Sequence, residues 1–143
     1  MVRVPHLNRR QVLAASIGLL GLFDARRAEA QGDAFAAEAA RQRDAAVAAG
    51  DQPYGAVVVL DGRIIGKGAS RVITDRNPDA HAERIALWDA QRQLGREDLS
   101  GAVIYASSPP CAICQRALAK ARISRMRVGP DARDHGAPRG ENT

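Results

Sequence analysis

The residues most able to do chemistry lie in two short stretches. Ser107-Ser108-Pro109-Pro110-Cys111-Ala112-Ile113-Cys114 holds both cysteines of the 143-residue chain, three positions apart. Such a pair can close a disulfide, run thiol redox chemistry, clip a structural metal or form part of a catalytic metal site, and the spacing does not choose among these. Upstream stands His81-Ala82-Glu83. One imidazole and two thiolates suit Zn2+, and three protein ligands leave a fourth position open to water. Glu83, two residues beyond His81, can face that water without ligating the metal. In the plainer reading His81 only caps a helix.

These residues need elements that bring them together. Asp33 is a candidate N-cap for a helix that places Phe35, Ala39, Ala46 and Val47 on one face and stops at Gly50. Tyr54–Leu60 and Arg63–Ser70 are apolar runs around Asp61-Gly62, a strong hairpin signal. Apolar residues at helical spacing follow His81, with Trp88 expected in the core, and end at Gly95. Gly101–Ser107 reads as a buried strand, with Tyr105 also expected in the core. The prolines before Cys111 suit a helix start, and Ile123–Gly129 reads as a further strand. The order α-β-β-α-β-α-β predicts an α/β sandwich, a β1-β2 hairpin followed by βαβ units. Both ligand-bearing helix starts then fall on the edge where the carboxyl ends of strands gather ligands. There the helix dipole favours the thiolate form.

The first thirty residues read as an address. Arg9 and Arg10 precede the apolar run Val12–Phe23, and Ala28-Glu29-Ala30 supplies a small-x-small cleavage site. The run is too short for a bilayer span, which needs about 20 apolar residues. Arg9-Arg10 followed by Gln11-Val12-Leu13 resembles a twin-arginine export signal, the plainer readings being an ordinary Sec signal or an amphipathic N-terminal helix packed on the domain. The expectation is residues 1–30 as signal, cleavage near Ala30 and a periplasmic or secreted product without a stable membrane span. One domain is expected over 33–130. Residues 131–143 form a polar tail, rich in Gly and Pro, expected to be irregular or disordered.

Charge excludes less than it first suggests. The formal net charge is +5, but residues 1–30 hold five arginines against Asp24 and Glu29, so the remainder carries 16 basic and 14 acidic residues. A body so near neutrality gives no electrostatic case for nucleic acid.

His81-x-Glu83 followed by Pro110-Cys111-x-x-Cys114 matches the signature of zinc-dependent nucleobase deaminases. The wider chain resembles the guanine, cytosine and tRNA-adenosine deaminase branch of the cytidine deaminase superfamily. The likeness is carried by Pro53–Gly68, Asn77–Arg84 and Leu99–Cys114, and runs from about residue 34 to 130. The resemblance implies a three-layer α/β/α sandwich with a mixed sheet. It implies Zn2+ on His81, Cys111 and Cys114, with hydrolytic deamination of an amino-substituted ring. Glu83 is then the catalytic proton carrier. Tyr54, Ser70 and the Ala82 backbone N–H are then the ring-binding groups.

Three departures qualify the resemblance. Ser70 stands where the family usually has Asn, and Pro109 where many relatives have Glu. Only a short segment follows Gly129, so the usual fifth strand and C-terminal helix are expected to be missing. A small-molecule substrate and a homodimer or larger assembly are expected, the neighbouring chain covering the exposed last strand and completing the pocket. A zinc domain without activity and a deaminase of nucleic acid are the competing readings.

Overall fold

The computed structural model describes residues 9–140, with side chains from residue 21 onward. The chain divides into two compact units, Met1–Gln31 and Gly32–Thr143. In the first, the described residues are helical. The second holds the sheet and the candidate site.

Helix α1 runs over Arg9–Ala48. Asp33 therefore lies inside a helix and is not its N-cap. The reason is local: around Asp33 the sequence is dominated by Ala, Arg, Glu and Gln, which all favour helix, and Gly32 alone costs only about 1 kcal/mol. The helix ends as expected at Gly50, whose φ of 78° only glycine adopts freely. Among the described residues Ala36, Ala39 and Ala46 are its buried apolar residues and Glu38 is buried with them, while Val47 is exposed.

The sheet has five strands in the order β2-β1-β3-β4-β5. β1 (Gly55–Leu60) and β2 (Arg63–Ala69) form the antiparallel hairpin. Asp61 and Gly62 both have positive φ, the turn geometry that Asp-Gly favours. β3 (Val103–Ala106) pairs antiparallel with β1, and β4 (Arg125–Val128) pairs parallel with β3. Helices α2 (Ala82–Leu94) and α3 (Ala112–Lys120) make the two crossover connections of the chain order β2-α2-β3-α3-β4. Ala56 and Val58 of β1 and Ile104 of β3 form one core with Ala82, Ala86 and Leu87 of α2 and Leu118 of α3. On the other sheet face Gly55 lies against the α1 backbone at Ala39 and Arg43, and Tyr105 meets Phe35 with ring centroids 5.2 Å apart. The result is the three-layer α/β/α sandwich with a mixed sheet.

A fifth strand is present, against expectation. β5 (Arg133–Asp134) pairs antiparallel with β4. Its residues are polar, so no hydrophobic pattern announces it. It is held by backbone bonds, Met126 N–H to Gly136 O (2.8 Å) and His135 N–H to Met126 O (2.9 Å), and by Arg125 Nη1 to Asp134 Oδ2 at 2.6 Å. β4 is thus not the sheet edge. Trp88 also departs from expectation: it is 38% exposed, with the Arg84 guanidinium 5.2 Å over its ring. Tyr105 is half-buried.

Candidate metal centre

His81 and Cys111 occupy the N-caps of α2 and α3. Both have extended backbone there, with ψ of 148° and 167°, so each side chain projects off its helix start. β2 seats closely under the first turn of α2 because Gly68 has no Cβ, which would collide with the Ala82 carbonyl oxygen. The α3 start is held locally: Gln115 Nε2 donates to Pro110 O (3.0 Å), and Cys114 N–H donates to Cys111 Sγ (3.4 Å).

The sequence-predicted ligands meet. His81 Nδ1 lies 3.6 Å from Cys111 Sγ and 3.3 Å from Cys114 Sγ, and the three ligand atoms all fall within 4.8 Å of one another. Tetrahedral zinc with bonds of about 2.0–2.3 Å sets imidazole nitrogen and thiolate sulfur about 3.5 Å apart. The donor set therefore fits Zn2+ in both chemistry and spacing. Cys111 is exposed, His81 half-buried and Cys114 buried, and both cysteines are free.

Glu83 joins this group. It is only 6% exposed, and its Oε2 is 3.7 Å from Cys114 Sγ. Burial pushes its carboxyl up, partly offset by its own backbone N–H, the His81 charge and the Cys114 thiol. Burial likewise pushes the Cys114 thiol far above the ordinary range, aided by Glu83 and Cys111. Without a cation, burial disfavours the ionised form of both groups, and Glu83 further opposes ionisation of Cys114. A divalent cation among them reverses that balance, which is a second respect in which the site fits a metal.

The proposed ring-binding residues are placed less directly. Ala82 is fully buried at the first position of α2, between His81 and Glu83. Tyr54 is 41% exposed, and its carbonyl accepts from Ser70 N–H at 3.0 Å. Ser70 is 2% exposed, and its hydroxyl donates to Asp51 Oδ1 at 2.8 Å. Among the described residues no hydrogen bond links Tyr54 or Ser70 to His81, Glu83 or the cysteines. Asp51 itself was missed in the sequence, where Asp51-Gln52-Pro53 reads as a turn. No spacing rule connects a residue after a helix with partners some twenty positions on.

Comparison with known proteins places these features in a wider group. Residues 30–130 match the cytidine and deoxycytidylate deaminase zinc-binding region as a family. A tRNA-specific adenosine deaminase of Aquifex aeolicus (strain VF5) is 34% identical over 102 residues, covering 71% of this chain and 68% of that protein. Guanine deaminase of Bacillus subtilis (strain 168) is 43% identical over 70 residues, covering 49% of this chain and 45% of that one. The X-ray structure of guanine deaminase from Bacillus subtilis superposes with a TM-score of 0.65 at 36% identity, over 67% of this chain and 62% of that one. The chain thus spans roughly half to two thirds of the length of the relatives it resembles.

Proposed function

Because the chain belongs to the cytidine and deoxycytidylate deaminase zinc-binding family, we propose that it hydrolytically deaminates a small amino-substituted heterocycle, a free nucleobase, nucleoside or related ring, and releases ammonia. The observation that carries this reading is Glu83, a buried carboxylate directed at the His81, Cys111 and Cys114 group. A purely structural zinc site has no use for it. Zn2+ held by those three residues would supply Lewis-acid activation, lowering the pKa of water at its fourth position to about 7. Glu83 accepts the proton of the attacking water and delivers it to the ring nitrogen. A C–O bond forms at the carbon that bears the amino group. Glu83 then takes the remaining proton from the newly attached hydroxyl and passes it to the amino group as the C–N bond breaks, the carbonyl forms and ammonia leaves. The Ala82 backbone N–H, Tyr54 and Ser70 are assigned to holding the ring. The test is ammonia release by zinc-loaded protein over guanine, cytosine, adenine, their nucleosides and triazine-type amino heterocycles. Elemental analysis should give one zinc per chain. Turnover of none of these rings by zinc-replete protein would leave a zinc domain without activity.

A second reading has its own observation: the Aquifex relative is named for tRNA, at 34% identity. That weighs against the expectation of no nucleic-acid partner. The near-neutral charge outside residues 1–30 supports the small substrate. Adding tRNA to the same screen decides, since inosine formation in tRNA alone would replace the first reading.

Residues 1–30 are proposed as a twin-arginine export signal, with a periplasmic or secreted product. No helix among the described residues is long and apolar enough to cross a membrane. Folding before export would let zinc protect Cys111 and Cys114 from oxidation. Replacing Arg9 and Arg10 with Lys should trap precursor in the cytoplasm; unchanged export refutes this route. Self-association is proposed as a homodimer or larger, supported by the exposed Trp88 and Ile113 on α2 and α3. Light scattering at micromolar concentration tests it, a strict monomer refuting it.

A further inference from the structure

Asp51 lies between α1 and β1, 8% exposed, and the reaction assigned above makes no use of it. Its Oδ1 accepts from Gln52 N–H (2.8 Å) and the Ser70 hydroxyl (2.8 Å). Its Oδ2 accepts from Ile73 N–H (3.0 Å), Thr74 N–H (2.8 Å) and the Thr74 hydroxyl (3.0 Å). A carboxylate offers about four lone-pair sites. Five donors saturate it, so Asp51 has nothing left for a substrate. Its carboxyl is held far below the usual range: burial alone would raise it, and the backbone N–H groups of Thr74 and Gln52 with the two hydroxyls overcome burial.

Four of the five donors come from Ser70, Ile73 and Thr74, at the start of the irregular segment that leads to His81. This segment is closed on itself. Arg71 N–H bonds Ala80 O (2.9 Å), Asn77 N–H bonds Val72 O (3.1 Å) and Ala80 N–H bonds Asn77 O (3.1 Å). The first of these clamps its two ends, so whatever fixes Ser70–Thr74 also fixes Ala80, the neighbour of His81. His81 needs such help. Its side chain makes no capping bond, and among the described residues nothing bonds its Nε2. A metal-ligating histidine is ordinarily oriented by a partner on its second ring nitrogen. Here the backbone has to do it.

We infer that Asp51 is a positioning residue for the metal centre: its carboxylate sets the Ser70–Ala80 segment and thereby aims His81 Nδ1 at the two thiols. The inference rests on the zinc reading of His81, Cys111 and Cys114.

The test uses the full chain loaded with Co2+, whose visible absorption reports ligand geometry, and zinc affinity by competition with a chelator. Asp51→Ala should alter the Co2+ d–d bands and weaken zinc binding by about 10-fold or more, the usual effect of losing an outer-shell partner. Asp51→Asn keeps the size but turns one acceptor into a donor, least costly on the Oδ1 side, where it faces Gln52 N–H and the Ser70 hydroxyl, and should fall between. Leu99→Ala, a core change before β3 at the sheet end away from the ligands, serves as a control. It should lower thermal stability and leave the Co2+ spectrum unchanged. If Asp51→Ala does not fold, Asp51→Asn and Thr74→Val decide by the same readouts. Folded Asp51 variants with wild-type spectrum and affinity overturn the inference, as does an equal spectral change in Leu99→Ala. Wild-type protein that binds neither metal overturns the zinc reading instead.

Discussion

Cys111 and His81 both stand at the N-cap of a helix, and each is held there by different means. Cys111 is held within its own turn. Its sulfur accepts from Cys114 N–H, and Gln115 reaches back to Pro110 O, so residues 110–115 hold one another at the ligand itself, with Arg139 N–H donating to Gln115 Oε1 (3.3 Å) from outside. His81 has no comparable local support. Its backbone is braced by a loop that answers to Asp51, and by a strand that approaches closely because of Gly68. One ligand pair is thus built from neighbours in sequence, the other ligand from residues far along the chain. Perturbations should divide accordingly: changes near Cys111 stay local, while changes far from His81 still reach it.

The largest effect separates chemistry from construction at the His81 side. Glu83→Gln keeps the shape of the residue beside Cys114 and removes its proton-carrying capacity. Once a substrate is in hand, turnover should fall by about 10²–10⁴-fold. Zinc content and thermal stability should stay near wild type. An unchanged rate would remove Glu83 from the mechanism, and a loss of zinc would show that it builds the site.

A middle-sized effect tests the contrast itself. Gly68→Ala sets a methyl against the Ala82 carbonyl, and backbone on both sides leaves little room to yield. Overpacking of this kind costs about 1–3 kcal/mol. It should also displace the first turn of α2 and weaken zinc binding. Gln115→Ala removes its bond to Pro110 O and the acceptor of Arg139 N–H, and should cost about 1–2 kcal/mol, with the Co2+ spectrum preserved. Equal spectral changes in the two variants would erase the distinction between the two helix starts.

The same contrast explains what was legible in the sequence. Asp61-Gly62, Gly95 and the two ligand motifs are short-range signals, in which backbone preference or spacing alone states the outcome. Gly95 ends α2 with a φ of 63° as a C-cap glycine should. Asp51 gave no signal, because its role depends on a hairpin first bringing Ser70–Thr74 beside it. β5 was hidden because backbone pairing and the Arg125–Asp134 bond hold it, not an apolar face. Trp88 was assigned to the core by its place in an apolar helix, but spacing does not say which side of a broad stripe meets solvent.

The smallest effect concerns acid, and again the His81 side is the exposed one. Glu38 on α1 is buried and bonds Arg41, Gln42 and Lys67, with Lys67 Nζ 2.9 Å away on β2, next to Gly68. The Lys67 N–H also donates to Asp89 on α2. Glu38 therefore ties α1 to the strand on which the His81 helix start is seated. Burial alone would raise its carboxyl, but Lys67, Arg41 and Gln42 lower it from 4.5 to about 2. A folded pKa below the unfolded one means that the folded state binds the proton less readily. The stabilisation is therefore complete above about pH 4.5 and is lost as pH falls towards about 2. Metal-free protein should show this as a falling melting temperature across that window, free of competition between protons and zinc for the ligands. Glu38→Gln should be less stable than wild type at neutral pH, and the gap should narrow as the pH falls through the window. A constant gap would mean that the carboxylate's charge does not brace β2, and that the His81 side relies on fewer distant contacts than Asp51 and Gly68 imply.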